Sequence, residues 1–251
     1  MRADTVGGIT PAVLVNLAPG EKILAAHEIM LYKEPQIQLH RRTMKSLGVN
    51  TSHLMAMRGR GDSEEGYFFA EFEGPGHVSF SRDKGGEVRI QHLQPGETIR
   101  LRSGHLMCFD ESVRYYPMVQ GQWYTTNANG DQETHYLFAD ELTGPGTIVY
   151  QSHGNLLSFS LRPGERMRTS VLGLLATSNT VQLAINWLIG GSTVSASNRG
   201  FGSLMGGGGG LLGAALQAAA GGGGAGVSSG GVQIPVIDLV GPGTVVVHSG
   251  V

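Results

Sequence analysis

One tripeptide occurs three times along the chain, as Pro19-Gly20-Glu21, Pro95-Gly96-Glu97 and Pro163-Gly164-Glu165. Proline fixes φ and glycine admits positive φ, so each copy predicts a tight turn between strands. The chain aligns around the three glutamates without a gap. Apolar residues recur at the second, ninth, tenth, sixteenth and eighteenth positions after them: Ile23, Met30, Leu31, Ile37 and Leu39; Ile99, Leu106, Met107, Val113 and Tyr115; Met167, Leu174, Leu175, Val181 and Leu183. This register predicts a threefold internal repeat.

A second turn motif accompanies each copy, as Gly74-Pro75-Gly76, Gly144-Pro145-Gly146 and Gly241-Pro242-Gly243. Apolar and polar residues alternate after each of them, and this period of two is typical of half-buried strands. The stretches Asp83-Lys84-Gly85-Gly86 and His153-Gly154-Asn155 are predicted to be hairpin turns between such strands. We therefore expect both motifs to form the turns at which the chain passes from one β-strand to the next.

The predicted fold is all-β, a pseudo-threefold β-sandwich or barrel. At 251 residues the chain can form a single domain over 1–251. Its units run approximately over 12–70, 71–140, and 141–197 together with 232–251. Because the first Pro-Gly-Glu precedes any Gly-Pro-Gly and the last Gly-Pro-Gly lies near the C-terminus, the two ends are expected to complete each other. This predicts that a strand from Thr244 to His248 pairs with one from Ala12 to Leu17 and closes a ring.

Residues 198–231 interrupt the third unit with a glycine- and alanine-rich insertion. Composition predicts a flexible loop or a disordered segment. An alternative is a short apolar helix, because Leu211, Leu212 and Leu216 fall on one helical face. Such a helix could dock on a neighbouring subunit, a partner protein or a membrane surface.

Composition excludes several classes of partner. Charged residues make up 15% of the chain and the formal net charge is −2, so no DNA partner is expected and RNA binding is disfavoured. Cys108 is the only cysteine, so no internal disulfide can form, and a buried hydrophobic role is expected for it. The first residues lack an apolar signal region, and no stretch is long and apolar enough to span a membrane, so a cytoplasmic location is expected.

No catalytic residue, metal or cofactor is predicted. A literal G-x-G-x-x-G match at residues 208–213 lies in a glycine tract without a βαβ context, and no Gly-Lys-Ser/Thr sequence is present. Nine histidines include no His-x-His pair, and His77, His105 and His153 are expected to be surface residues near turns.

The glutamates of the three Pro-Gly-Glu motifs suggest a separate hypothesis about a binding site. A threefold arrangement could bring Glu21, Glu97 and Glu165 to one rim, where they would bind a cation or another subunit. The favoured interpretation is that each is a polar residue of its own turn.

The motifs resemble a known family, the bacterial proteins related to the mitochondrial biogenesis protein AIM24. The resemblance includes Leu31-Tyr32-Lys33, Gly66-Tyr67-Phe68-Phe69 and the three Gly-Pro-Gly corners. It implies a fold similar to that of the tryptophan RNA-binding attenuation protein and a tendency to self-associate, and it supplies no catalytic residues. Fold similarity alone carries no activity, because function depends on particular sites.

The leading functional prediction is a non-enzymatic, homo-oligomeric scaffold or binding protein, with partner or membrane contact through residues 198–231. The first alternative is a small-ligand or RNA-binding module. The second is a metal-dependent, cupin-like enzyme whose histidines come together only in the fold.

Overall fold

A computed structural model describes residues 1–8, 10–50, 68–83, 85–126, 131–189, 192–195 and 234–250. Over these residues the chain is all-β, as predicted, and single turns of 3-10 helix lie at His27–Ile29 and Lys45–Leu47. The strands are β1 (Arg2–Val6), β2 (Ala12–Leu17), β3 (Lys22–Ala26), β4 (Met30–Lys33), β5 (Gln38–Thr43), β6 (Phe68–Glu73), β7 (Gly76–Ser81), β8 (Val88–Leu93), β9 (Thr98–Arg102), β10 (Leu106–Asp110), β11 (Arg114–Thr126), β12 (Gln132–Thr143), β13 (Gly146–Gln151), β14 (Leu156–Leu161), β15 (Arg166–Ser170), β16 (Leu174–Ser178), β17 (Gln182–Ile189), β18 (Ser192–Ser195), β19 (Ile234–Val240) and β20 (Gly243–His248). None of the described residues belongs to a helix long and apolar enough to cross a membrane.

The same order of six strands, named a to f here, occurs three times. Unit 1 contains β2 to β7 and unit 2 contains β8 to β13, each in the order a to f. Unit 3 contains β14, β15, β16, β17, β19 and β20 in that order. In every unit strand f pairs with a and c, and strand e pairs with b and d, all antiparallel.

Four sheets result from this pairing. Their strand orders are β1-β2-β7-β4, β5-β6-β3-β10-β13-β8, β11-β12-β9-β16-β20-β14 and β15-β19-β17-β18. Each six-stranded sheet joins the d-e-b half of one unit to the c-f-a half of the next. We call the connecting b·c pairs, β3·β10 and β9·β16, the unit joints.

Within each unit the two halves face each other and enclose a core. In unit 1, Phe80 on strand f meets Phe72 on strand e edge to face, with ring centroids 5.3 Å apart. Tyr150 and Leu101 of unit 2 are buried in a second cluster, which residues of units 1 and 3 also join, and Ile237 of unit 3 is buried in a third. The inward side chains of strands on opposite halves therefore interdigitate as in a β-sandwich.

The two repeated turns carry the chain between sheets. Each Pro-Gly-Glu has proline second and a positive-φ glycine third, as a type II turn requires: φ is 75° at Gly20, 80° at Gly96 and 76° at Gly164. The amide of each glutamate donates to the carbonyl of the residue before the proline at 3.0 Å. The turn lies against the Gly-Pro-Gly corner of the same unit, because the amides of Gly74, Gly144 and Gly241 donate at 2.9 Å to the carbonyls of Glu21, Glu97 and Glu165.

Two expectations about connectivity are wrong. The final strand β20 pairs with β14 and β16, whereas β2 pairs with β1 and β7, so the chain ends do not close a ring. The two predicted hairpin turns link strands of different sheets, so they are linkers between units. Strand pairing groups β7, up to Ser81, with the strands of unit 1.

Candidate functional site

The sheet edges between units 1 and 3 are open. Strand c pairs with strand b of the preceding unit at both unit joints, but β4, the c strand of unit 1, is the last strand of the first sheet. The matching b strand of unit 3, β15, is the first strand of the fourth sheet. Among the strands that the structure describes, β4 is thus the only c strand without a b strand beside it. β15 is likewise the only described b strand without a c strand beside it.

The open edge leaves apolar side chains of β4 in solvent. Met30, Leu31 and Tyr32 are 38%, 60% and 49% exposed. Their equivalents in unit 2, Leu106, Met107 and Cys108, are 4%, 0% and 0% exposed, and those in unit 3, Leu174, Leu175 and Ala176, are 2%, 0% and 1% exposed. The same segment of the repeat is therefore buried where a b strand covers it and exposed where none does.

The geometry of β4 matches that of the c strands in the unit joints. Its pairing with strand f shifts register between Met30 and Tyr32, and the same bulge occurs between Leu106 and Cys108 and between Leu174 and Ala176. A bulge bends a strand and redirects its side chains, so its recurrence shows that β4 has the shape that accepts a b strand elsewhere in the chain.

Strand β15 is held in place from its inner side. Five residue pairs join it to β19, the same number that joins β9 to β12 and β3 to β6. Across this pair Arg168 Nε and Nη2 donate to the two carboxylate oxygens of Asp238, at 2.6 and 3.0 Å. The hydrogen bond from Arg168 holds the pKa of the Asp238 carboxyl below its usual value. β15 is therefore a regular strand that is held by β19 on one side and has a terminal edge on the other.

The predicted carboxylates lie in their own turns. The Oε2 atoms of Glu21, Glu97 and Glu165 accept hydrogen bonds from the amides of Ala18, Gln94 and Arg162, at 2.9, 2.9 and 2.8 Å. Each carboxylate thus satisfies a backbone donor at the start of its turn. Within the described ranges, no three His, Cys, Asp or Glu side chains are arranged to hold a metal ion.

A cluster of three imidazoles lies where units 2 and 3 meet, outside the paired strands of the unit joint. The rings of His105, His153 and His248 have centroids 4.7 to 5.7 Å apart. His105 is 5% exposed, so the expectation that it lies on the surface is wrong. Its Nδ1–H donates to the Gln151 carbonyl at 2.8 Å. His248 Nε2–H donates to the Leu172 carbonyl at 2.9 Å, which ties two of the three rings to the backbone.

Burial makes this cluster sensitive to acid. It lowers the pKa of His105 to about 3, and the facing His153, His248 and Arg102 disfavour its charge further, although the bond to the Gln151 carbonyl opposes the shift. The unfolded chain, in which this pKa is about 6.5, takes up the proton first as the pH falls. Stability should therefore fall between pH 6.5 and pH 3.

This gives a testable pH dependence. Between pH 7 and pH 5 the His105 contribution should remove about 1–2 kcal/mol from the free energy of unfolding. Urea titrations at both pH values measure this loss, and the His105→Gln variant should lose less stability over that interval than the wild type. Equal losses in the two proteins would contradict the assignment.

The lone cysteine has a structural position. Cys108 is completely buried at the first unit joint, opposite Ala25, and burial raises the pKa of its thiol. A buried thiol that stays protonated packs as a small apolar side chain. This agrees with the role expected from its sequence.

A cleft of about 570 Å³ lies between units 1 and 2. Its floor includes the buried Leu24, Phe109 and Tyr115. At its rim Arg42 Nη1 donates to Glu71 Oε2 at 2.6 Å. The charge of this arginine is already balanced within the protein, so it supplies no free cation for a ligand. The predicted docking residues Leu211, Leu212 and Leu216, with the whole insertion at 198–231, lie outside the described residues.

The fold and its edges define a class of protein: an all-β chain of three sandwich units in which, among the described strands, one c strand and one b strand lack the neighbour that the other units have. The family model described as "Mitochondrial biogenesis AIM24" matches residues 4–250, and the chain therefore belongs to the AIM24 family. No curated protein sequence matches it. A crystal structure of protein SPYM3_0169 from Streptococcus pyogenes is similar in fold, with a TM-score of 0.58 and 20% sequence identity, covering 99% of this chain and 93% of that one.

Proposed function

We propose that this protein is a non-enzymatic, homo-oligomeric scaffold that self-associates through its open strand edges. The observation that carries the proposal is the exposure of Met30, Leu31 and Tyr32 on β4, where the other two units bury the equivalent residues. Edge strands present unpaired backbone donors and acceptors, and natural proteins usually protect them with charges, prolines or covering segments. β4 instead presents three large apolar side chains before its single Lys33.

The energy available from this edge is large enough for association. Fully burying a large apolar side chain contributes about 1.5–3 kcal/mol, and three such residues are partly exposed here. Hydrogen bonds between edge strands would add to this gain. The loss of translational and rotational freedom on binding opposes this gain. We therefore expect a dissociation constant in the micromolar rather than the picomolar range.

The chemistry elsewhere supports a scaffold more than a catalyst. The thiol of Cys108 is buried and stays protonated, and two of the clustered imidazoles are bonded to backbone carbonyls. The turn glutamates are engaged with amides. These groups all have structural roles, whereas the described strand β4 departs from its equivalents in the repeat by leaving apolar side chains exposed.

The Leu31→Glu variant tests the proposal. Leu31 is 60% exposed, so the subunit should fold normally, but a charge on the edge should weaken association by at least about tenfold. Size-exclusion chromatography with light scattering measures the mass as a function of concentration. The wild type should be oligomeric and the variant should dissociate.

Leu157→Glu is the matched control. Leu157 is 52% exposed on β14, the a strand of unit 3, which is also a terminal strand. The a strand of unit 2, β8, is terminal as well, and that of unit 1, β2, is covered only by β1, which precedes the repeat. No described a strand therefore has a neighbour from another unit. This variant should keep the wild-type mass. A Leu31→Glu variant with unchanged association, or one no weaker than Leu157→Glu, would contradict the proposal.

A further inference from the structure

We infer that β4 of one molecule pairs with β15 of a second copy, reproducing between chains the unit joint that occurs twice within each chain. This inference rests on the proposed function and names the partner, the strand and the register. Its first support is topological. A c strand has two neighbours, f and b, in units 2 and 3, and among the described strands β15 is the b strand that has no c strand beside it.

The register of the contact follows from the existing joints. Cys108 lies opposite Ala25 in the first joint and Ala176 lies opposite Leu101 in the second. In both pairs the c-strand residue is the eleventh after the glutamate of its unit, and the b-strand residue is the fourth after its own. The same rule places Tyr32 opposite Thr169 in the joint between molecules.

The side chains of the two edges are compatible with this register. Thr169 and Met167 are half-buried on β15. Thr169 would lie opposite Tyr32, and Met167, opposite Glu34, would be a diagonal neighbour of Tyr32 on the same face. Lys33 would lie opposite Arg168, and like charges in that position repel. Both are already engaged: Arg168 binds the Asp238 carboxylate, and Lys33 Nζ donates to the Ile37 carbonyl at 2.9 Å. An equivalent arginine, Arg100, lies within the second joint and pairs with Glu141 at 2.9 Å.

The contact is head to tail. Each molecule has one β4 edge and one β15 edge, and the two edges belong to different sheets. A partner strand bound to one edge therefore leaves the other edge open. A heterologous contact of this kind repeats until it closes into a ring or extends as a filament. A second copy fits the edge because the same chain already supplies the joint's geometry twice.

Disulfide formation between two variants, each with one added cysteine, tests the register. Tyr32→Cys and Thr169→Cys proteins are purified separately, mixed and oxidised, and the product is read by intact mass and on non-reducing gels. Directly opposite residues in antiparallel strands lie close enough for a disulfide. The mixture should therefore form a covalent dimer, while native Cys108 stays unreacted because it is buried.

A Lys33→Cys protein mixed with Thr169→Cys is the control. A shift of one residue points the new thiol to the opposite face, so cross-linking should be slower by roughly tenfold. Equal rates in both mixtures, with a wild type that is still oligomeric, would overturn the strand joint and leave the proposed scaffold standing.

Two further outcomes are decisive. A strictly monomeric wild type would overturn both the inference and the proposed function. A Tyr32→Cys/Thr169→Cys double variant that forms its disulfide only within single chains would show that the edges close inside one molecule, which would overturn the second copy as the partner.

Discussion

Replacing Met107 with glutamate is expected to unfold the protein. Met107 is the counterpart of Leu31 in the repeat, but it is completely buried at the first unit joint. Moving an unpaired carboxylate into that position should cost about 5 kcal/mol or more, comparable with the whole stability of a typical domain. Circular dichroism and urea titration should show a protein without a cooperative transition at neutral pH.

The comparison with Leu31→Glu makes this result specific. The same chemical change at the same repeat position should leave the subunit folded in unit 1 and destroy the fold in unit 2. Met107→Leu keeps the volume and should cost less than about 1.5 kcal/mol, which controls for substitution as such. A Met107→Glu protein that melts like the wild type would show that β10 is not enclosed by its two neighbours.

The Gly144→Ala variant should lose about 2–4 kcal/mol of unfolding free energy. A Cβ atom at Gly144 would overlap the carbonyl oxygen of Gln94 and lie 2.7 Å from that of Leu93, because the Gly-Pro-Gly corner packs on the Pro-Gly-Glu turn of its unit. Backbone atoms cannot give way as a side chain can, so the corner must shift. For a chain of this size the midpoint of thermal unfolding should fall by about 5–15 °C.

Gly8→Ala is the control for this effect. A Cβ atom there would meet nothing within 4 Å, and its φ lies outside the left-handed range, so the variant should melt within about 1 °C of the wild type. If Gly144→Ala melts together with Gly8→Ala, the two turns do not form one packed corner.

Much of the fold could be predicted from local sequence. The three Pro-Gly-Glu and Gly-Pro-Gly motifs define turns because proline and glycine restrict the backbone itself, whatever the rest of the chain does. Strand alternation predicted the all-β class for a similar reason. Which strand pairs with which depends on tertiary contacts, and so the predicted pairing of Thr244–His248 with Ala12–Leu17 was wrong.

The candidate site shows the same limit. The alignment already matched Met30 and Leu31 with Leu106 and Met107, and all four are apolar. Nothing in that pattern distinguishes a covered strand from an open one, because only the order of strands in the sheets shows that β4 lacks a b-strand neighbour. His105 was misassigned for a related reason: its position beside a turn suggested solvent, yet β13 and β20 bring Gln151 and His248 against it.

Native mass spectrometry of the wild-type protein at micromolar concentration would show directly whether it self-associates. We expect a series of homo-oligomers whose masses are multiples of the single chain and which the Leu31→Glu variant loses. A spectrum that contains only the monomer, for wild type and variant alike, would contradict this expectation.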